Sequence, residues 1–274
     1  MGIEYIGKCL LIEEKGENIV VIGDLHLGYE EALNRSGVYV TREMYKEMMG
    51  EMDGVFDKIR DNGNANMTSK GVYDNEGLRV TDKGEKDKQI IDNNTKNEKK
   101  VVDKIILLGD VKHSFSGNLR QEWNDVLGVI NYLKEKCSEL VILRGNHDNY
   151  LINIAKQGEI DVVESYIWKE YCFIHGDVER EEMNTNGVGC WVIGHAHPAI
   201  FLEDGTTREK YKCFLIGEYR KKKIIVVPSF FSLIVGSNVR EGVNVPWEFD
   251  LDKFDVKVVN GLGVLDFGKL DNLK

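Results

Sequence analysis

The chain has 274 residues, 42% of them apolar and 30% charged, which is enough to bury a full core and too apolar for a disordered polymer. Its 46 acidic residues against 36 basic ones give a net charge of −10, which argues against a broad electropositive nucleic-acid face. The longest apolar run, 224–236, is interrupted by Pro228, Ser229 and Ser232 and falls short of the ~20 residues of a membrane span.

Residues 1–10 lack a basic stretch followed by a long apolar one, so no signal peptide is expected. The five cysteines contain no C-x-x-C pair and suggest neither a disulfide framework nor a thiolate zinc site. Both observations point to the cytoplasm, with no membrane association.

In chain order, 9–13 and 18–22 read as two strands joined by a tight turn at Lys15-Gly16. Residues 41–60 carry Met44, Met48, Met52, Val55, Phe56 and Ile59 at helical spacing, a stripe expected to face the core. Residues 61–100 hold only eight apolar residues, with eight acidic and eight basic ones, and read as a flexible insertion starting in a loop at Asp61-Asn62-Gly63-Asn64. Then come a buried-type strand at 104–108, a helix at 119–136 and another strand at 140–143. This strand–helix–strand alternation predicts parallel pairing.

Beyond about residue 160, strand-like runs crowd together at 171–174, 191–193, 199–202, 211–216, 224–227 and 256–259. The whole chain, 1–274, is expected to form one domain of two packed sheets. The basic cluster Arg220-Lys221-Lys222-Lys223 is read as a solvated turn in preference to a phosphate contact.

Five short motifs each follow one of these apolar strands. They are Gly23-Asp24-Leu25-His26, Gly109-Asp110-Val111-Lys112-His113, Gly145-Asn146-His147-Asp148, His175-Gly176 and Gly194-His195-Ala196-His197. Residues just past the carboxyl ends of strands line the functional crevice of an α/β sheet. All six histidines of the chain fall inside these motifs, which scattered packing or solvation would not produce. Carboxylate and amide oxygens mixed with imidazoles, without thiolate, suit manganese, iron(II) or zinc better than a structural zinc or a calcium cage. There are too many donors for one ion, and two ions sharing a carboxylate would use them all.

The motif order resembles the calcineurin-like, binuclear metallophosphoesterases. That resemblance implies an α/β four-layer sandwich, two packed mixed β-sheets flanked by helices. It implies a hydrolase using two divalent ions, manganese foremost, with iron(II), zinc or nickel as alternatives. Carried over residue by residue, Asp24, His26 and His197 would hold the first metal. Asn146, His175 and His195 would hold the second, and Asp110 would bridge. His147 would serve as the acid for the leaving oxygen, and Asp148 would orient His147. His113 would face the phosphate from outside the metal ligands.

The Gly-Asp-x-x-His form of the second motif, with Cys213-Phe214 and Pro228-Ser229-Phe230 in the tail, is similar to SbcD-related DNA repair nucleases and ligase-associated metallophosphoesterases. The expected function is therefore phosphodiester hydrolysis of DNA or another nucleic acid, with DNA-repair proteins as partners. The alternative is a small-molecule nucleotide phosphodiesterase or phosphomonoesterase. A non-catalytic scaffold ranks last, because every ligand and His147 are present.

Overall fold

The computed structural model describes residues 2–68, 100–115, 117 and 119–273. Most of the predicted insertion lies outside the described residues.

The first sheet has six strands in chain order: β1 (Gly2–Ile6), β2 (Cys9–Glu14), β3 (Glu17–Ile22), β4 (Val102–Leu107), β5 (Cys137–Leu143) and β6 (Val162–Val163). β1, β2 and β3 form an antiparallel meander, and β3 to β6 run parallel. The second sheet contains β7 (Ser165–Trp168), β8 (Tyr171–Ile174), β9 (Cys190–Ile193), β10 (Pro198–Asp204), β11 (Thr207–Tyr219), β12 (Lys222–Val226) and β13 (Ser237–Asn238), in the order β13-β10-β11-β12-β9-β8-β7. The first half of β11 pairs with β10. Its second half is flanked by β12 and by β14 (Asp255–Asn260), which in turn pairs with β15 (Gly263–Lys269).

Period-two alternation builds the layers. Leu10, Ile12, Ile19, Val21, Ile106, Leu108, Val141 and Leu143 of the first sheet meet Tyr171, Phe173, Cys190, Val192, Phe214, Ile225 and Val227 of the second in one buried cluster. The intervening residues Leu11, Val20, Ile22, Ile105, Leu107 and Ile142 point the other way, into the helices. Strands buried on both faces explain the uninterrupted apolar runs.

Four helices, α1 (Tyr29–Arg35), α2 (Met44–Thr68), α3 (Arg120–Lys136) and α4 (Leu151–Gln157), pack on that outer face, and the methionine stripe of α2 is buried there as expected. On the outer face of the second sheet, Trp191, Trp247, Phe254 and Leu270 are buried under loops and short 3₁₀ turns at Val239–Glu241, Leu251–Lys253 and Leu270–Asn272. The sandwich is the expected one, and its fourth layer is thin.

Two differences from the sequence reading have local causes. Residues 61–64 are the continuation of α2, not a loop: the Asn62 amide donates to Glu4 on β1 at 3.1 Å, tying the polar end of the helix to the sheet edge. Strands β1, β6, β7, β13 and β15 bury too little to leave an apolar run. The basic cluster is the β11–β12 hairpin turn. Arg220 and Lys221 adopt φ 51° and 63° there, and Arg220 pairs with Glu179 at 2.7 Å. No helix among the described residues is long and apolar enough to cross a membrane.

Candidate metal centre

The parallel strands β3, β4 and β5 of one sheet and β8, β9 and β12 of the other end at the same edge of the sandwich. Backbone pairing joins the two sheets there. Gly23 bridges to Ser229, and Phe230 and Phe231 donate to the carbonyls of Gly23 and Asp24, both at 3.1 Å. Leu25 and His26 donate to the Asp110 carbonyl at 3.0 and 2.9 Å. Each of the five motifs is thereby delivered to one crevice.

The turns that do this are strained. His26, Asp110, His195 and His197 have φ of 45°, 49°, 62° and 45°, a region non-glycine residues seldom occupy outside turns and functional sites. Gly109 has φ +96°, and a Cβ there would lie 2.7 Å from the Gly145 nitrogen, so only glycine lets these two loops touch.

Three groups of donors result. Asp24, His26 and His197 converge, with His197 Nε2 3.4 Å from Asp24 Oδ1 and 3.3 Å from His26 Nε2. Asp110, His175 and His195 form a second group, with His175 Nε2 3.5 Å from Asp110 Oδ1 and 3.1 Å from His195 Nδ1. The Asn146 Oδ1 joins this group, 3.1 Å from His175 Nε2. Asp110 stands between the groups, since its other oxygen lies 3.7 Å from His26 Nε2. His26, His113 and His147 make the third.

Donors bound ~2.0–2.2 Å from one ion stand roughly 3–3.5 Å apart, so the first two groups have the spacing of coordination spheres.

Burial and mutual charge shift these groups in both directions. Burial pushes the His26 ring down to about 2, with His197, His147 and His113 adding and Asp24 opposing. Burial, helped by His175, likewise takes His195 down to about 4. These rings are kept neutral, the form that offers a lone pair to a metal. Burial raises the Asp24 carboxyl, but His197, His175 and His26 outweigh it and hold it well below the usual carboxylate range. Burial, with Asp24 and Asp148 adding, pushes Asp110 up to about 8 against the pull of His175. Burial lowers His175, but Asp110 and Asp24 outweigh it and raise it. The closely set oxygens beside the neutral His26 and His195 rings fit divalent cations, whose charge would favour the deprotonated form of Asp110 and His175.

His147 lies beside the donors. Its Nδ1 is 2.6 Å from the His113 carbonyl, and its Nε2 faces Asp110 Oδ2 at 3.9 Å. Burial lowers its pKa. The Asp148 side chain does not orient it. The turn closes by an Asp148 N–H to the Gly145 carbonyl at 3.1 Å, which points the carboxylate beneath the loop, where it accepts from the N–H groups of Gly145 at 2.9 Å and Lys112 at 3.2 Å. The backbone of His113 supplies the contact expected of Asp148.

Several neighbours escaped the sequence reading. The Asn244 side chain reaches the far nitrogen of His195, Nε2, at 3.3 Å, and nothing around this lone loop asparagine signals it. Glu122 is fully buried and accepts from the N–H groups of His113 at 3.0 Å, Ser114 at 2.7 Å and Leu119 at 3.2 Å. A glutamate in the first turn of a helix was the available signal. Buried Lys112 lies 3.7 Å from Glu122 and also meets the Ser114 carbonyl.

The calcineurin-like phosphoesterase family matches residues 17–261. No curated protein matches the chain. Among solved structures, the Pseudomonas putida nuclease MPE is similar with a TM-score of 0.50 at 14% identity, covering 94% of this chain and 100% of that one. A Vps29 variant from Entamoeba histolytica gives a TM-score of 0.36 at 13% identity, over 91% of this chain and 99% of that one. With the five motifs assembled at one edge of a two-sheet sandwich and the family matched over most of its length, this chain belongs to the calcineurin-like phosphoesterases, hydrolases of phosphoester bonds that use divalent metals.

Proposed function

We propose that this protein is a phosphodiesterase that cleaves DNA or another nucleic acid. The observation that supports it is a pair of imidazoles, His113 and His147, standing 5.2 Å apart beside the metal donors. A diester phosphate has charged oxygens and a leaving ester oxygen, and two imidazoles can serve both.

Asp24, His26 and His197 would hold one divalent ion, and Asn146, His175 and His195 a second, with Asp110 between them. Bound there, two such ions polarise the phosphoryl group and lower the pKa of a coordinated water. Manganese is the ion we favour for this mixed oxygen and nitrogen set, with iron(II), zinc or nickel as alternatives.

The chain's own residues do the rest. The His113 carbonyl is an acceptor only, so His147 Nδ1 carries the hydrogen between them. That leaves Nε2 facing the centre, and when this nitrogen takes up a proton the ring holds it where the leaving oxygen needs it. Asp148 holds the Asp110–Lys112 and Gly145–His147 segments in register through its two backbone contacts. His113, on the same side, is placed for a charged phosphate oxygen. The similarly folded Pseudomonas protein is a nuclease, which accords with this reading. On this reading DNA-repair proteins would be partners of the present chain.

The net charge of −10 favours a second reading, a small nucleotide as substrate. A panel with manganese separates the two: single-stranded DNA, duplex DNA, RNA, cyclic nucleotides and an aryl phosphomonoester. Cleavage of a nucleic acid at the highest kcat/KM is expected. Turnover confined to cyclic nucleotides or the monoester would replace the nuclease reading with the second one.

A further inference from the structure

One side of the crevice is walled by aromatic rings in continuous contact. Phe115 lies on His147 with ring centroids 3.7 Å apart, His147 on His113 at 5.2 Å, His113 on Tyr29 at 4.6 Å, and Tyr29 on Phe231 at 5.0 Å. Phe231 is buried, but Phe115 is 50% exposed. One face of its ring rests on His147 and much of the side chain meets solvent. The backbone just before it is held. Glu122 accepts from the N–H groups of the two residues before Phe115, and the Lys112 ammonium holds the Ser114 carbonyl. A large apolar ring thus stands half in water, against the imidazole assigned to the leaving oxygen.

Two consequences follow from that placement. Whatever is attached to the leaving oxygen lies beside His147, and therefore near Phe115. In a polynucleotide that group is a nucleoside, whose base has a π-face able to stack on the ring. The charge of the chain sets what a polynucleotide would need here. At −10 overall, phosphate attraction contributes little to holding a polyanion, so stacking is the available source of affinity. We infer that Phe115 is the platform on which a base of the nucleic-acid substrate stacks, making it a specificity-determining residue of the cleavage proposed above, on which this inference rests.

The test uses the manganese-loaded full chain and two substrates, a single-stranded oligodeoxynucleotide and an abasic oligomer of the same length. The readout is the ratio of kcat/KM for the first over the second. The wild type should prefer the base-bearing strand. Phe115→Leu keeps apolar bulk against His147 but removes the π-face. Stacking is worth about 1–3 kcal/mol per base, so this variant should lower the ratio roughly 5- to 150-fold, chiefly through KM. Phe115→Trp should restore it.

If Phe115→Leu slows both substrates equally and leaves the ratio alone, the ring only props His147 and the inference is overturned. A wild type that cuts both oligomers equally well overturns it too, while leaving the nuclease reading standing. A wild type that hydrolyses an aryl phosphodiester but neither oligomer sinks the nuclease reading itself, and the inference with it.

Discussion

Replacing Gly145 by alanine adds one methyl group at a tight point of the centre. A Cβ there would lie 2.2 Å from Asp110 Oδ1, 2.3 Å from Asp110 N and 2.9 Å from Asp110 Cγ, where ordinary contact begins at 3.4 Å. Gly145 is not in the left-handed region, so the clash is purely steric. Something must move by about 1 Å. If Asp110 retreats, its carbonyl leaves the N–H groups of Leu25 and His26, which it holds at 3.0 and 2.9 Å. If the Gly145 loop retreats, the His147 N–H leaves Asp110 Oδ1 at 2.9 Å, and Asn146 moves with it. Either way the carboxylate between the two donor groups loses its place.

Overpacking of this kind costs about 1–3 kcal/mol of stability. A misplacement of ~1 Å in a reacting constellation costs on the order of 10²-fold in rate. The expected outcome is a folded protein that retains less metal after dialysis and hydrolyses an aryl phosphodiester about a hundredfold more slowly. Urea unfolding, metal analysis and steady-state rates on the same preparation measure the three effects. Gly50→Ala is the control. Nothing lies within 4 Å of a Cβ on this helical glycine, so stability should rise by roughly 0.8–1 kcal/mol and the rate should hold. A Gly145→Ala protein with full metal content and an unchanged rate would refute the assignment of this crevice as the reacting centre.

Further outcomes concern other parts of the molecule. His147→Ala should retain metal and lose roughly 10²–10⁴-fold on a diester with a poor leaving group, with a smaller loss on an activated aryl diester. His197→Ala should lose metal and slow both, and metal analysis beside the two rates would contradict these roles if His147→Ala were the variant lacking metal. Glu122→Ala strands three backbone donors and Lys112, which should cost about 3–5 kcal/mol in urea unfolding, and a loss below ~1 kcal/mol would show that the backbone at His113, Ser114 and Leu119 is held by other means. Burial pushes the Cys9, Cys172 and Cys190 thiols up to about 12 and Cys137 to about 11. Raised folded values mean that this stability is intact below the unfolded thiol range near 8.5 and is lost as pH climbs toward 12. Burial takes Lys212 down to about 7, and it works in the opposite sense, one group against four. Urea midpoints should therefore fall steadily above pH 9, and a midpoint that rises there would mean the sign is wrong.

The sequence by itself determined what depends on neighbours along the chain. Strands buried on both faces leave uninterrupted apolar runs, so β3, β4, β5, β8 and β9 could be read from composition, and the stripe on α2 from helical periodicity. The five motifs were legible because each follows such a run and because all six histidines fall within them. Only the tertiary structure decided what depends on partners far away in sequence. The pairing of Gly23 with Ser229, which brings the two sheets' strand ends together, links residues with no common local pattern. The edge strands β1 and β15 exist because a paired neighbour satisfies their backbone, and α2 runs on through polar residues because Asn62 finds Glu4. The His147 ring is held by a backbone carbonyl, which every residue possesses and no residue type announces, whereas the adjacent Asp148 carboxylate is visible in the sequence and binds elsewhere. Side chains carry information that a sequence displays, whereas backbone groups are identical at nearly every position, and it is their placement in space that assigns them work.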